Sequence, residues 1–576
     1  MSSRAPVVPA AAAPAAAPPQ LRLFCRMYAA QQLLMCGALS HAQALLAEPA
    51  ASMLQLPASP PLLLAPLLLL LFCAPSARLL ALSVALSLGT ILRKMPFVWD
   101  FLLWDLQTDA ALLAVLLLCG PAAAAADGDR AVALAAPIVR AQYVVFYACT
   151  ALWKVNAAFL DASVSCAPIF FAQLLDAYVP AALTPPWLPP LALALAPATT
   201  ILVEAAIPAL LCVPAAADGR GAGAACRRLG LGLGVLLHLL IALTPAPNNA
   251  GAFSLTILVH YFFLAPRRFA AAAARPAVLA ASALLAVCGF CRAPSDLAVG
   301  MNLGLALLWA AALLTPPPAP AAGGIRSPPP PALARAVRRV RLCALSVAVG
   351  YALLLPVLGL QDMMASTMFA NLRVYSGSNH LLLPTGLLFG ALPALDGGAT
   401  AWVEATSSRA IAGLYPAEVT HLLSPTARRH LLASGHSARQ FGPYMARVLG
   451  PQAVSPPASE RPRGGGAEAY LLPFVELRRL LAEARAAGEA FDLTYRRRGS
   501  PDGRWRRVRY ARRRDGRESC VALGRWLKGS RCKAEERALL TTAPPAWAMK
   551  LLLFFPFPVP LEEKMGVESK ELGCVC

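Results

Sequence analysis

The chain has 576 residues, of which 58% are hydrophobic and only 14% are charged. Soluble domains carry about 25% charged residues, so this composition excludes a soluble globular protein and indicates a polytopic membrane protein. The formal net charge of +21 favours anionic partners. For a chain embedded in a membrane these are lipid headgroups, and the sequence contains no nucleic-acid-binding motif, so we expect no nucleic acid partner.

Apolar segments follow one another along most of the first 361 residues. They lie at 28–47, 62–92, 97–119, 131–153, 188–213, 229–245, 251–264, 277–291, 297–314 and 342–361. Several are shorter than about 20 residues, which predicts tilted or paired helices. The segment 62–92 contains Pro66 and Pro75, so we expect a kink or a surface extension there.

The C-terminal third has a different character, with many arginines after Arg409. A helix is predicted at 473–483, and strands at 492–496 and 506–510 flank turn residues. The sequence therefore predicts an all-α polytopic membrane helix bundle of about ten or eleven spans with a small basic α+β C-terminal extramembrane domain. The predicted divisions are a disordered Ala/Pro-rich N-terminus at 1–24, the bundle at 25–315, a Pro-rich basic linker at 316–341, a last transmembrane helix with a polar lid at 342–390, and the basic domain at 391–576.

Lys and Arg placement predicts the sidedness of the chain. Arg22 and Arg26 place the N-terminus in the cytosol, and the later basic loops become cytosolic only if residues 166–183 also cross the membrane. The tail after residue 362 is then luminal or extracellular.

Lys154 follows an apolar segment, 141–153, that is long and hydrophobic enough to lie in a bilayer. A buried ammonium is costly in a membrane, so such a lysine pairs, snorkels to the headgroups, or has a function. The simplest interpretation is a helix C-terminus whose lysine snorkels.

Three ordered motifs resemble the horizontally transferred transmembrane (HTTM) family, which includes the vitamin K-dependent γ-carboxylases. The first runs from Trp153-Lys154-Val155-Asn156 through Phe159-Leu160-Asp161 to Ser165-Cys166, the second from Leu237-His238-Leu239 to Ser254, and the third from Met368 to Asn379-His380. The resemblance covers roughly residues 25 to 390. It implies that Lys154 is a candidate catalytic base that deprotonates a reduced vitamin K-type quinone, the cofactor that drives glutamate carboxylation.

One departure from this family concerns a functional histidine that it places in the span corresponding to 97–119. The present sequence has no histidine between His41 and His238. True γ-carboxylation is therefore in doubt, although the lysine is retained. The span instead carries Asp105 and Asp109, which lie four residues apart and so share one helix face. They are candidate cofactor-binding residues, or Asp105 lies at the membrane interface beside Trp104.

Glu204 and His238 are the candidate cavity partners of Lys154. Glu204 could pair with Lys154 or with His238, and a structural ion pair is the simpler expectation. The broken stretch after His238 contains Asn248 and Asn249, further candidate cofactor-binding residues, because non-helical backbone in a membrane protein lines polar cavities. His260, beside Tyr261, is interpreted as interfacial.

The fifteen cysteines lie mostly in apolar segments, and no zinc-ligand spacing occurs, so the sequence predicts no metal site. Three functions stay open: a quinone-linked carboxylase-like enzyme, a non-enzymatic lipid- or quinone-binding protein that has lost this chemistry, and a transporter, for which the expected inverted repeats are not found. The multi-pass bundle and the resemblance favour an endomembrane, the endoplasmic reticulum, over the plasma membrane.

Overall fold

The computed structural model describes the helical part of the chain almost continuously and the C-terminal third in shorter segments. The described residues are 19–46, 60–95, 100–120, 128–214, 221–245, 250–292, 297–315, 329–358, 360, 365–367, 369–370, 380–383, 402–406, 416–418, 420–434, 439–441, 469–497, 505–512, 518–523, 530–531, 544 and 559–561.

The described part of the chain up to residue 357 is mainly helical. In chain order they are α1 (Pro19–Leu46), α2 (Pro60–Cys73), α3 (Ala77–Lys94), α4 (Asp100–Cys119), α5 (Gly128–Lys154), α6 (Ala157–Leu160), α7 (Cys166–Tyr178), α8 (Leu188–Cys212), α9 (Gly221–Leu243), α10 (Gly251–His260), α11 (Pro266–Ala273), α12 (Pro276–Arg292), α13 (Leu297–Leu314) and α14 (Pro331–Val349). A π-helical turn, Gly350–Leu354, extends α14 to Val357.

Five helices among the described residues are long and apolar enough to cross a membrane. They are Phe101–Cys119, Asp129–Lys154, Leu188–Cys212, Gly221–Leu243 and Pro331–Val357. A sixth is obtained if α11 and α12, which are bent by 88° at their junction, count as one span. The expectation of a membrane helix bundle is therefore supported, whereas the predicted ten or eleven spans are too many for the described part.

The shortfall has a physical cause, because several apolar segments form helices too short to span. The ten residues of α10 extend only about 15 Å, half of the roughly 30 Å hydrocarbon thickness. The predicted kink in 62–92 is confirmed: the chain breaks after Cys73, and Ser76 caps α3 by accepting a hydrogen bond from Leu79 N at 3.2 Å.

Two predicted boundaries also shift. Helix α1 begins at Pro19, inside the segment expected to be disordered, because Leu21 and Phe24 are buried in the core. Helix α14 begins at Pro331, so residues 331–341 belong to the last candidate span and not to the predicted linker.

The outer surface of the bundle is strongly apolar, as expected for contact with lipid. Leu117, Leu202 and Leu284 each expose more than 60% of their surface, although they lie on helices with buried faces elsewhere. Large exposed apolar surfaces mark membrane or protein contacts. Together with the candidate spans, this surface supports an integral membrane protein.

The C-terminal region contains an antiparallel sheet. The described strands of this region are β1 (Trp402–Thr406), β2 (Pro416–Glu418), β3 (Arg439–Phe441), β4 (Ala469–Pro473), β5 (Phe491–Arg497), β6 (Arg506–Arg512), β7 (Glu518–Leu523), β8 (Ser530–Arg531) and β9 (Val559–Leu561), and helices α15 (Pro425–Ala433) and α16 (Phe474–Ala486) lie between them in the sequence. Seven strands form one sheet in the order β8-β7-β6-β5-β1-β4-β9, and β2 pairs with β3. The predicted hairpin is confirmed, since β5 pairs with β6 from Phe491↔Tyr510 to Tyr495↔Arg506.

Charged residues in this region are paired both inside and outside its core. Glu476 is buried and accepts hydrogen bonds from Arg479 at 2.6 and 2.8 Å, and burial raises the pKa of Glu476. On the surface, hydrogen bonds from Arg507 and Arg509 lower the pKa of Asp492. The basic composition of this region is therefore partly neutralised within its own fold.

The C-terminal region packs against the bundle through α7. Leu423, Ala427 and Leu431 of the α15 segment share a small core with Cys166 and Ile169 of α7. The thirteen residues of α7 extend only about 20 Å, and α7 is not among the five spans. Residues 166–183 therefore contain no helix long enough to cross the membrane by itself, and the extra crossing and the sidedness of the tail both stay predictions.

Candidate functional site

Lys154 is the last residue of α5 and is buried, with 5% of its surface exposed. Its Nζ lies 2.9 Å from Glu204 Oε2 on α8 and 5.8 Å from the centre of the Phe159 ring. Of the two partners considered for Glu204, the structure selects Lys154. The snorkelling interpretation is wrong, because the ammonium points to an acid inside the protein instead of to the surface.

The chain just after Lys154 is held in place by residues that follow the last span. Asn156 caps α6 by accepting from Phe159 N at 2.8 Å, and its Nδ2 donates to Ala370 O at 2.7 Å. His380 forms a β-bridge with Asn156 and donates from Nε2 to Leu152 O at 2.9 Å. The predicted polar lid therefore touches the end of α5 through His380, one of the residues of the third motif.

His238 is buried on α9, and within the described residues no hydrogen bond or ion pair joins it to Lys154 or Glu204. Its Nε2 is 2.5 Å from the Tyr147 hydroxyl, and that hydroxyl also bonds to the Tyr261 hydroxyl. Tyr147 precedes Lys154 by seven residues on α5, which is about two helical turns or roughly 10 Å. The convergence of all three candidate residues on one cavity stays a prediction.

A glycine makes room for this tyrosine–histidine cluster. Gly234 lies one turn before His238 on α9, and a Cβ at this position would lie 3.0 Å from Cε2 and Cζ of Tyr261 and still closer to the hydroxyl. Such contacts force a neighbouring group to move. Gly234 therefore permits the approach of Tyr261 to α9.

Asp105 and Asp109 lie on α4, and both are fully buried. The interface interpretation of Asp105 is therefore wrong, and Trp104 is also buried. The structure brings His260 to these carboxylates from α10: its Nε2 lies 3.5 Å from Asp109 Oδ1 and 3.7 Å from Asp105 Oδ1. His260 is fully buried, so its predicted interfacial position is wrong as well.

Helix α1 completes the surroundings of the two carboxylates. Gln32 Nε2 donates to Asp105 Oδ2 at 2.9 Å, and the Tyr28 hydroxyl donates to Asp109 Oδ2 at 2.8 Å. Gln31 Nε2 lies 3.5 Å from Asp105 Oδ1 and donates to Thr256 Oγ1 at 3.0 Å. We call Asp105, Asp109 and His260 the acidic triad, because these three side chains face one another across α4 and α10.

Sequence patterns did not identify His260, Gln31 or Gln32 as site residues, although a signal was present. Polar side chains inside apolar helices are costly and therefore often functional. Gln31, Gln32 and His260 each interrupt an apolar helix. The remaining candidate residues, Asn248 and Asn249, lie outside the described residues.

Comparison with protein families finds a match for one segment of the chain. Residues 378–550 match a family described as a domain of unknown function (DUF8388). The matched segment begins two residues before His380 and includes the strands β1 to β8. No curated protein and no solved structure matches the chain.

Proposed function

We propose that this chain is a multi-pass membrane protein that binds a membrane lipid or a quinone through buried polar groups of its bundle, without carboxylase chemistry. The contact between Lys154 and Glu204 is the observation that favours this function over an enzymatic one. Both functions rest on the resemblance to the HTTM family, in which a lysine acts on a reduced vitamin K-type quinone.

The geometry of Lys154 does not fit removal of a proton from a hydroquinone. A general base must present a free nitrogen lone pair to its substrate, whereas Lys154 Nζ lies 2.9 Å from Glu204 Oε2 and is engaged in that contact. The ammonium has three donors and no acceptor capacity. Lys154 is therefore suited to donate hydrogen bonds to a carbonyl or phosphate oxygen.

The cluster around His238 supports binding of an apolar ligand with a polar end. His238 Nδ1 is buried and has no hydrogen-bond partner among the described residues. Aromatic rings surround His238, with ring centres 5.1 Å away for Phe253 and 6.0 Å away for Tyr147 and Tyr261. An aromatic wall with a few polar atoms is the usual composition of a small-molecule site.

Anionic lipid headgroups are the second class of partner that we propose. Arg335, Arg338 and Arg339, at the start of α14, are exposed. Basic surface residues attract anionic leaflets. An endomembrane such as the endoplasmic reticulum remains our proposed location.

The second candidate function is a quinone-linked, carboxylase-like enzyme. The specific observation in its favour is that Lys154, in the matching motif, is buried and not exposed to the headgroups. Such an enzyme would need a conformation in which Glu204 separates from Lys154.

The deciding experiment uses the full chain in lipid nanodiscs. We expect a reduced vitamin K-type quinone to quench the fluorescence of the buried Trp153 and Trp309 in a saturable manner, with weaker quenching in Lys154→Met. We also expect no incorporation of labelled carbon dioxide into a glutamate-containing peptide. Incorporation that disappears in Lys154→Met would overturn the binding proposal in favour of the enzyme, and absence of saturable quenching would exclude a quinone ligand.

A further inference from the structure

We infer that Asp105, Asp109 and His260 bind one divalent transition-metal ion inside the helix bundle. This inference does not depend on lipid or quinone binding. Each residue offers one ligand atom, and the three atoms all lie within 4.8 Å of one another. All three side chains are fully buried.

The separations suit a metal better than a direct contact between the groups. Two ligands held about 2.1 Å from a tetrahedral ion lie roughly 3.4 Å apart. The separations from His260 Nε2 to the two carboxylate oxygens are 3.5 and 3.7 Å. A charge-assisted hydrogen bond between a protonated histidine and a carboxylate would be shorter, at about 2.7–2.9 Å.

The orientation of His260 is that of a metal ligand. Its Nδ1 lies 3.0 Å from the carbonyl oxygen of Thr256, an atom that can only accept, so Nδ1 carries the hydrogen. This bond leaves the Nε2 lone pair directed at the two carboxylates. A backbone carbonyl that fixes the tautomer in this way is a regular partner of ligating histidines.

Two atoms that face the centre of the triad have no hydrogen bond within the described part of the chain. These atoms are His260 Nε2 and Asp109 Oδ1. The opposite oxygen of each carboxylate is already held, by Tyr28 and Gln32. Hydrogen bonds from α1 therefore orient both acids and leave Asp109 Oδ1 for a third group, while Asp105 Oδ1 has one long contact, 3.5 Å from Gln31 Nε2.

The charge of the site indicates what that group is. Neither carboxylate forms an ion pair with a lysine or an arginine among the described residues; His260 is the partner of both. Buried acids that are not paired are strongly unfavourable. A divalent ion neutralises two carboxylates, whereas a protonated histidine neutralises one. Carboxylate oxygens with one imidazole nitrogen suit Zn²⁺, Mn²⁺ or Fe²⁺.

The test is a titration of the full chain, purified in detergent and stripped with a chelator, with Co²⁺ followed by visible absorption, and with Zn²⁺ as competitor. We expect one Co²⁺ per chain, displaced by Zn²⁺. Binding should weaken by about 10–100-fold in Tyr28→Phe, which loses a bond that orients Asp109, and by more in Asp109→Asn and His260→Gln. Asp176→Asn, which removes an exposed carboxylate on α7, should bind like the wild type.

Absence of Co²⁺ binding by the wild type, or equal binding by His260→Gln and Asp109→Asn, would overturn the site. If these variants do not fold, the ligands can still be identified from a spectrum of the wild-type protein. The X-ray absorption spectrum of the Zn²⁺-loaded protein should show oxygen ligands with one imidazole. A sulfur-containing shell would assign the metal to cysteines, and an oxygen-only shell would exclude His260; either result would overturn the inference.

Discussion

Two buried polar clusters in the same bundle differ in how their charges are balanced. At the end of α5, the ammonium of Lys154 faces the carboxylate of Glu204 at 2.9 Å, so the pair is neutral. In the acidic triad, two carboxylates face one histidine at 3.5 and 3.7 Å, and the described residues supply no further cation. The charges of the first cluster balance within the folded chain. The second cluster has more negative than positive charge among the described residues.

This difference separates a structural role from a binding role. A neutral ion pair can persist in a low-dielectric interior because each charge compensates the other. A cluster with excess negative charge is costly unless a proton or a metal ion joins it. The residue that the family resemblance emphasises, Lys154, therefore has a local partner, and the group that needs an external partner lies on α4 and α10.

The largest expected effect tests whether Lys154 and Glu204 compensate each other's charge. Glu204→Leu should leave a buried, uncompensated ammonium and lower the free energy of unfolding by about 3–5 kcal/mol. The double variant Lys154→Met with Glu204→Leu should recover most of this loss, because neither charge remains. Unfolding in mixed micelles measures both. If the double variant is as unstable as Glu204→Leu alone, the loss of stability does not come from an uncompensated charge on Lys154.

A smaller effect is expected where Tyr261 approaches α9. Gly234→Ala should lower the free energy of unfolding by about 1–3 kcal/mol, because the added methyl collides with the Tyr261 ring. The matched control is Gly232→Ala, whose Cβ would make an ordinary contact of 3.5 Å with Leu313. The control should be neutral or more stable by up to about 1 kcal/mol, because alanine favours helices. Equal effects of the two variants would contradict the close packing at Tyr261.

Removing one acid from the acidic triad should change the free energy of unfolding in the opposite direction to removing Glu204 from the ion pair. With chelator present, Asp109→Asn should leave stability unchanged or raise it by up to about 1 kcal/mol, because it removes one uncompensated charge while its side-chain oxygen can still accept from Tyr28. Added Zn²⁺ should stabilise the wild type, by about 2.7 kcal/mol at a hundredfold excess over the Kd, and should not stabilise this variant. If Asp109→Asn lowers the free energy of unfolding both with and without chelator, the triad is a structural cluster like the Lys154–Glu204 pair and does not need a metal ion.

The smallest effect concerns charges exposed to water on β5 and β6. Asp492→Asn should cost at most about 1 kcal/mol at neutral pH, because exposed ion pairs contribute little. Hydrogen bonds from Arg507 and Arg509 lower the pKa of Asp492, so its contribution is present above the unfolded pKa of about 4 and disappears as the pH falls through the lower folded pKa. Hydrogen exchange of the β5–β6 hairpin in the full chain measures this. A difference between variant and wild type that grows on acidification would contradict the assignment.

The sequence by itself determined the class of protein and several local elements. Its apolar composition specifies membrane helices, because only internally hydrogen-bonded segments are stable in hydrocarbon. Local patterns also identified the end of α5 at Lys154, the break near Pro75 and the β5–β6 hairpin, because these features depend on residues close together in the chain. The predicted number of spans exceeds the five or six found in the described part of the chain, because hydropathy does not reveal where an apolar segment ends as a short helix.

Only the tertiary structure decided which polar side chains meet. Asp105 and Asp109 could be recognised as sharing a helix face, since that face follows from the 3.6-residue period. Their partners Tyr28, Gln32 and His260 come from α1 and α10, and the hydrophobic periodicity of a helix does not specify which other helices pack against it. The choice of Lys154 as the partner of Glu204 has the same origin, because the packing of α5 against α8 brings an ammonium and a carboxylate together across fifty residues of chain.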